Sequence, residues 1–157
     1  QMKLKQSFEA AGGTFLMGDE ALSAEISGGK AVSLKTRNLG DHALEADSFI
    51  LATGAFFSKG LAATTEKVYE TLFGLDVSFS DGRSSWYDAD FYAAQPFSDF
   101  GVVTDGKLRA VKDGVPVENL YAAGSVLGGN ALRLGCGAGL AILSALAVAD
   151  TIAQESK

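Results

Sequence analysis

Residues Leu120-Tyr121-Ala122-Ala123-Gly124-Ser125 decide the fold of this 157-residue chain. They form an apolar run that ends in small residues and a glycine, a pattern typical of a buried strand in a parallel sheet. A glycine-rich loop follows at 125–134, and the alanine-rich segment 137–154 then favours a long helix. A strand, a loop and a helix in this order predict an α/β fold.

A second apolar run, 48–52, ends in the same way at Thr53-Gly54. Ligands of open α/β sheets bind outside the carboxyl ends of the strands. Thr53 could donate a hydrogen bond there, and Gly54 would let a ligand approach the backbone. Either strand end alone is compatible with an ordinary turn, but two of them can meet at one ligand. We therefore expect Thr53, Gly54, Gly124 and Ser125 to contact a cofactor.

The helix at 137–154 is preceded by a cluster of small residues, which includes Gly135, Cys136, Gly137 and Ala138. The free N–H groups and the dipole of a helix N-terminus favour an electron-rich ligand. A reduced flavin, which is negatively charged at its pyrimidine edge, would be stabilised there. Close helix packing through small residues is the alternative explanation. We interpret these four residues as flavin contacts, with Cys136 as a small packing residue rather than a reactive thiol.

Composition narrows the class of protein. The net charge is −6 without a basic run, which argues against nucleic-acid binding. The single cysteine excludes an internal disulfide, and the single histidine, His42, argues against a multi-histidine metal site. The apolar run 138–149 is shorter than the roughly 20 residues of a membrane span, so we expect a buried helix. Lys59, Arg83 and Arg133 are candidates for binding a substrate anion, with a solvent-facing turn as the alternative for Arg83.

The remaining segments divide into regular elements and an aromatic-rich region. Glycine pairs and alternating apolar residues predict a helix and three strands before the run at 48–52. Between 55 and 116 regular periodicity weakens, and we interpret that region as an inserted α+β substrate or cap segment. The predicted elements are a helix at 2–11, strands at 14–17, 21–26 and 31–37, and short helices at 63–72 and 88–94.

Several motifs together resemble the family of B subunits of anaerobic glycerol-3-phosphate dehydrogenase, within the FAD/NAD(P)-binding flavoproteins. The resemblance covers roughly residues 45–155. It rests on ATGAFFSKGL (52–61), FGLDV (73–77), WYDADFYAAQP (86–96), FGV (100–102), NLYAAGSVLGG (119–129), GCG (135–137) and SAL (144–146).

This resemblance implies a partial Rossmann-like fold, in which 1–54 and 117–157 bind flavin and the strands at 14–37 form an antiparallel meander. No G-x-G-x-x-G phosphate turn is present, so we expect the chain to be the C-terminal part of a longer subunit. Ser125 stands where many such flavoproteins carry an acidic residue for the ribityl or ribose hydroxyls. We therefore expect FMN rather than FAD.

The resemblance also implies an activity and a location. The subunit would oxidise sn-glycerol 3-phosphate to dihydroxyacetone phosphate, and electrons would pass through companion subunits to quinone and fumarate. It would lie at the cytoplasmic face of the inner membrane and reach the membrane only through its partners. Two alternatives stay open: an electron-transfer or docking subunit without substrate chemistry, and a fumarate-reductase-like flavoprotein that acts on another small substrate. The sequence identifies no catalytic base.

Overall fold

The computed structural model describes residues 2–130 and 137–155, which form an α/β arrangement of helices and small sheets. Short 3-10 turns at Phe56–Ser58, Arg83–Ser85, Pro96–Asp99 and Gly124–Val126 connect several elements. The helices are α1 (Met2–Ala10) and α2 (Gly137–Glu155). The strands are β1 (Ala21–Ser27), β2 (Lys30–Thr36), β3 (Ala43–Leu44), β4 (Phe49–Leu51), β5 (Leu61–Ala63), β6 (Val68–Glu70), β7 (Val77–Ser78), β8 (Gly101–Val102), β9 (Arg109–Lys112) and β10 (Val115–Ala122).

The central sheet has the strand order β4-β10-β9. The two apolar runs identified in the sequence, β4 and β10, pair in parallel, with Ile50 opposite Tyr121 and Leu51 opposite Ala122. The N–H of Ala123 donates to the carbonyl of Leu51 at 3.0 Å and extends this pairing past the end of β10. The carboxyl ends of β4 and β10 therefore lie side by side.

Helix α2 packs on the sheet through one face only. Its buried residues are Ser144 and Val148, and Val148 packs with Tyr121 and Ala123. Ile142, Leu143 and Leu146 lie on other faces of the helix and are exposed. The expectation of a buried helix is wrong, because a helix laid on one side of a sheet buries a single stripe of its surface. Among the described residues, α2 is the one helix long and apolar enough to cross a membrane.

The C-terminal end of α2 is attached to the sheet by a polar network. The Tyr121 hydroxyl donates to the Glu155 carboxylate, which also pairs with Lys107 at 2.8 Å. Burial, and then the adjacent Glu155 carboxylate, raise the pKa of Tyr121 to about 12. Arg109, which begins β9, pairs with Asp105 at 2.7 Å. The contacts of Glu155 with Tyr121 and Lys107 hold the far end of α2 against the sheet.

The N-terminal strands form a separate antiparallel sheet of order β1-β2-β3, with Gly28 and Gly29 in the β1–β2 turn. The side chain of Asn119 joins this sheet to β10. Its oxygen accepts from the N–H of Ala31 at 2.8 Å, and its amide nitrogen donates to the carbonyls of Ala31 and Asp47. Residues 14–17 form no strand and are exposed, so the strand predicted there is wrong: this apolar run has neither a pairing partner nor a face to cover.

Both short helices predicted between 55 and 116 are wrong. At 63–72 the chain forms the β5–β6 hairpin, because the hydroxyl of Thr64 accepts from the N–H groups of Glu66 and Lys67 and closes a turn. At 88–94 the carboxylates of Asp88 and Asp90 each accept an N–H two residues further on. Such side-chain hydrogen bonds compete with helix formation.

One hydrophobic core joins the central sheet to the segment between β4 and β10. Leu51, Leu120 and Ala122 pack in the same cluster as residues from β5, β6 and β8. Glu70, the last residue of β6, is 2% exposed, and its carboxylate accepts from the N–H groups of Leu72, Phe73 and Gly74 at 2.7–2.9 Å. The division into a flavin-binding part and a 55–116 insert stays a prediction. The core members from the insert are Leu61, Val68, Phe73, Leu75, Trp86, Phe100, Val102 and Ala110.

Candidate functional site

Each of the two parallel strands is followed by a glycine with a positive φ. Gly54 follows β4 with φ +76°, two residues before the 3-10 turn Phe56–Ser58, and Gly124 follows β10 with φ +77° and begins the 3-10 turn Gly124–Val126. A Cβ on Gly54 would lie 2.7 Å from the Cβ of Ser58 and 3.5 Å from the hydroxyl of Ser125. Backbone torsion and space both favour glycine here. The structure thus brings Gly54 and Ser125 close together, while their contact with a cofactor stays a prediction.

Thr53 places a hydroxyl at this edge of the sheet. Its Oγ1 is buried and has no hydrogen-bond partner among the described residues. A Cβ on Gly60 would lie 2.6 Å from that oxygen and 2.0 Å from the carbonyl of Gly54, so the chain passes closely over the turn. A buried hydroxyl without a partner costs about 1–3 kcal/mol, which a bound ligand could recover.

The first turns of α2 are attached to the end of β10 through Ser144. The Ser144 hydroxyl accepts from the N–H of Gly124 at 2.9 Å and donates to the carbonyl of Leu140 at 2.6 Å. Gly137 and Ala138 begin this helix, whose first N–H groups have no partner within the helix. Two other predicted cofactor contacts, Gly135 and Cys136, lie outside the described residues.

A largely apolar pocket of about 290 Å³ lies beside the turn at Gly54. Phe56 and Phe97 form one wall, with ring centroids 6.1 Å apart in an edge-to-face arrangement. Larger depressions lie at the start of β4, around Asp47 and Asn119, and along β6 and β7. The carboxyl ends are the usual ligand side of a parallel sheet, so we assign the site to the smaller pocket. Its lining residues are Ala55, Phe56, Phe57, Ser58, Phe97, Ser98 and Ser125.

Sequence reasoning identified Ser125 but missed Phe56, Ser58, Phe97 and Ser98 as lining residues. The available signal was the run of aromatic and small residues directly after Gly54. Phe97 and Ser98 could not be identified from sequence, because they are about 40 residues away along the chain and only the fold brings them to the pocket.

The predicted anion-binding residues do not form one cluster in the described structure. Lys59 follows the pocket residue Ser58 in a left-handed conformation, φ +64°, which is strained for a non-glycine residue. The guanidinium of Arg83 donates to the carbonyl of Thr64 at 2.9 Å and lies 5.6 Å from the Trp86 ring. Arg133 lies outside the described residues. Their substrate role stays a prediction.

The residues at this edge suit the ring system of a flavin. A flavin ring is flat and apolar on its faces, and its pyrimidine edge accepts hydrogen bonds. Gly124 has only the Cβ of Ala141, at 3.9 Å, near the position of its missing side chain, and Thr53 supplies a hydroxyl without a partner among the described residues. The first turn of α2 supplies N–H groups that have no partner within the helix. Within residues 2–130 and 137–155, no group of His, Cys, Asp and Glu side chains is placed to hold a metal ion. The arrangement is that of an α/β protein, with a candidate site for an organic cofactor at the ends of two parallel strands.

Comparison with known proteins identifies the family. The model of the FAD binding domain family matches residues 2–140, and the chain belongs to that family. Membership supports the flavin cofactor that the sequence predicted. No solved structure gave a significant match.

The chain is also similar to curated proteins that are named as the B subunit of anaerobic glycerol-3-phosphate dehydrogenase. The protein of Yersinia enterocolitica is 45% identical over 95% of this chain and 35% of its own length. Those of Actinobacillus succinogenes and Haemophilus influenzae are 45% and 42% identical over 98% and 97% of this chain, and 37% of their own lengths. The chain therefore spans just over a third of the curated relatives it matches.

Proposed function

We propose that the chain forms the part of a flavoprotein dehydrogenase subunit that holds the isoalloxazine end of the flavin. The enzyme would oxidise sn-glycerol 3-phosphate to dihydroxyacetone phosphate, as the names of the similar proteins suggest. A bound flavin would accept the electrons removed from the substrate carbinol. The cofactor-binding residues in this proposal are Thr53, Gly54, Gly124, Ser125, Gly137 and Ala138, with Gly135 and Cys136 assigned from sequence.

The buried Thr53 hydroxyl, which has no partner among the described residues, carries this proposal. It lies at the carboxyl end of β4, next to Gly54, where the chain at Gly60 passes closely over the turn. Thr53 would donate to an acceptor atom on the flavin edge, and the N-terminus of α2 would stabilise negative charge there. Phe56 and Phe97 would exclude water from one side of the site.

We further propose that the flavin is FAD. The residue pattern around Ser125 favoured FMN, whereas the description of the matched family favours FAD. Flavin released from the purified full-length protein by heat, and identified by mass, distinguishes the two. Recovery of FMN alone would reject FAD.

The proposed subunit works within a complex at the cytoplasmic face of the inner membrane. The similar proteins are each named as one subunit of an enzyme, which supports companion subunits that would carry electrons to quinone and fumarate. A second candidate is a docking or electron-transfer subunit without substrate chemistry. It is favoured by the position of His42, which is exposed in a turn and does not line the pocket. Turnover of sn-glycerol 3-phosphate with a dye acceptor by the isolated full-length subunit would reject this second candidate.

The substitution Thr53→Val in the full-length protein tests the site. Valine keeps the shape but removes the hydroxyl, so we expect flavin Kd to rise between about 2-fold and 10-fold, the value of one hydrogen bond. The flavin-free protein should be no less stable than the wild type, because the hydroxyl has no partner among the described residues without the ligand. Thr151→Val is the control: its hydroxyl donates to the carbonyl of Ala147 at the far end of α2. Equal flavin affinity in the wild type and Thr53→Val would contradict the assignment.

A further inference from the structure

The segment 87–95, here named the aromatic loop, displays large side chains to solvent. Phe91 is 84% exposed, Tyr92 is 92% exposed and Tyr87 is 60% exposed. Phe91 and Tyr92 contact each other edge to face, with ring centroids 5.5 Å apart. Aromatic side chains usually supply buried area in cores and interfaces, so three on one short loop indicate an interaction surface.

The aromatic loop is ordered by its own hydrogen bonds. The Gln95 side chain lies within it: its oxygen accepts from the N–H of Asp88 at 3.0 Å, and its nitrogen donates to the carbonyls of Asp90 and Ala93. The carboxylates of Asp88 and Asp90 accept N–H groups within the loop. A loop that is already ordered loses little conformational entropy on binding, which raises affinity for a partner.

The charge of the aromatic loop and its position beside the pocket restrict the kind of partner that it can bind. Asp88 and Asp90 are exposed beside the aromatic side chains, so the loop presents an apolar tip with an acidic rim. Two copies of the loop facing each other would bring these carboxylates together, which disfavours self-association. The loop leads directly into the 3-10 turn Pro96–Asp99, where Phe97 and Ser98 line the apolar pocket. A partner bound to the loop would therefore lie beside the wall of the candidate site.

We propose that the aromatic loop is a docking element for a companion subunit of the dehydrogenase. The fitting surface on that subunit is an apolar pocket with a Lys- and Arg-rich rim, into which Phe91 and Tyr92 insert. This inference rests on the proposed function, since it requires the chain to belong to a complex. Docking at this position places a companion subunit next to the pocket, where electrons would leave.

Photo-crosslinking in the complex tests the location. Phe91 is replaced by p-benzoylphenylalanine in the full-length protein, produced together with its companion subunits and irradiated. We expect the crosslink in a companion subunit, at a peptide that contains Lys or Arg beside apolar residues. Crosslinks confined to the same polypeptide, to a second copy or to lipid would overturn the proposal, as would no crosslink above that from the same label at Val115.

Affinity measurements test the energetics. The double variant Phe91→Ala/Tyr92→Ala should raise the Kd for the companion subunits about 30-fold, as loss of interface hot spots does. Gln95→Ala, which keeps both aromatic side chains but removes their support, should weaken association by a smaller factor. Tyr69→Ala, an exposed aromatic residue on β6, is the matched control and should leave the Kd unchanged. Equal Kd values for the wild type and the double variant would refute docking.

Flavin content distinguishes failure of this inference from failure of the proposed function. The double variant should retain wild-type flavin and dye reduction as an isolated full-length subunit, because neither residue lies at the candidate site. Association that persists in the double variant with normal flavin content rejects the docking element alone. A wild-type protein that binds no flavin rejects the proposed function, whatever the crosslinks show.

Discussion

Ser144→Ala should destabilise the protein by separating α2 from the turn at Gly124. The substitution removes the acceptor for the N–H of Gly124, 2.9 Å away, at a residue that is 5% exposed. A buried N–H without a partner costs about 1–3 kcal/mol, while alanine recovers about 0.5 kcal/mol of helix propensity. The net loss is about 0.5–2.5 kcal/mol, or a Tm decrease of about 2–8 °C at a slope near 3 °C per kcal/mol.

Thr151→Ala supplies the matched control for this measurement. Thr151 lies on the same helix and, like Ser144, donates to the carbonyl four residues earlier, but it is not the acceptor for Gly124. Thermal unfolding followed by circular dichroism should therefore show a lower Tm for Ser144→Ala than for Thr151→Ala. Tm values within about 1 °C of each other would refute the role of the Gly124 contact.

Three further substitutions test the framework of the site. Tyr121→Phe should remove the contribution of Tyr121 to the pH dependence of stability. The folded-state pKa of Tyr121 is about 12, against an ordinary value of 10.0, so this contribution is present below pH 10 and lost as the pH rises towards 12. The Tm difference between the wild type and Tyr121→Phe should shrink from pH 9 to pH 12, and a constant difference would contradict this. Glu70→Gln should cost about 1–3 kcal/mol in urea unfolding, because an amide cannot accept all three N–H groups, and a loss below about 0.5 kcal/mol would reject that role. Asn119→Ala should also lower the free energy of unfolding by about 1–3 kcal/mol and increase hydrogen exchange at the N–H of Ala31. Unchanged exchange at Ala31 would show that the Asn119 side-chain amide does not hold β2 to β10.

The sequence predicted both strands of the parallel pair, because apolar runs and glycine positions are local signals, whereas their direct pairing comes from the structure. The apolar runs around Leu51 and Leu120 and the glycines after them required no knowledge of the rest of the chain. The Ser144 contact could not be predicted in this way: it depends on α2 returning to the residue that ends β10. The pocket walls at Phe56 and Phe97 could not be predicted for the same reason.

The incorrect helix predictions have local causes. Both segments contain helix-favouring alanine. Around Thr64 one hydroxyl accepts two backbone N–H groups, and around Asp88 the carboxylates of Asp88 and Asp90 accept one each. A helix prediction from the residue composition of a segment takes no account of individual side-chain hydrogen bonds of this kind. The predicted burial of α2 failed differently, because an apolar sequence does not reveal how many of its faces the fold covers.

The similar φ angles of Gly54 and Gly124 affect which substitutions these positions tolerate. A residue with a side chain is strained at φ near +77°, by about 1–2 kcal/mol, so substitution by any chemical class of side chain is unfavourable at both positions. The strand residues before them can exchange one apolar side chain for another. A saturation scan scored by flavin content should therefore show intolerant positions in two segments, one at Gly54 and Gly60 and the other at Gly124, which is 70 residues from Gly54 in sequence, rather than in one continuous motif.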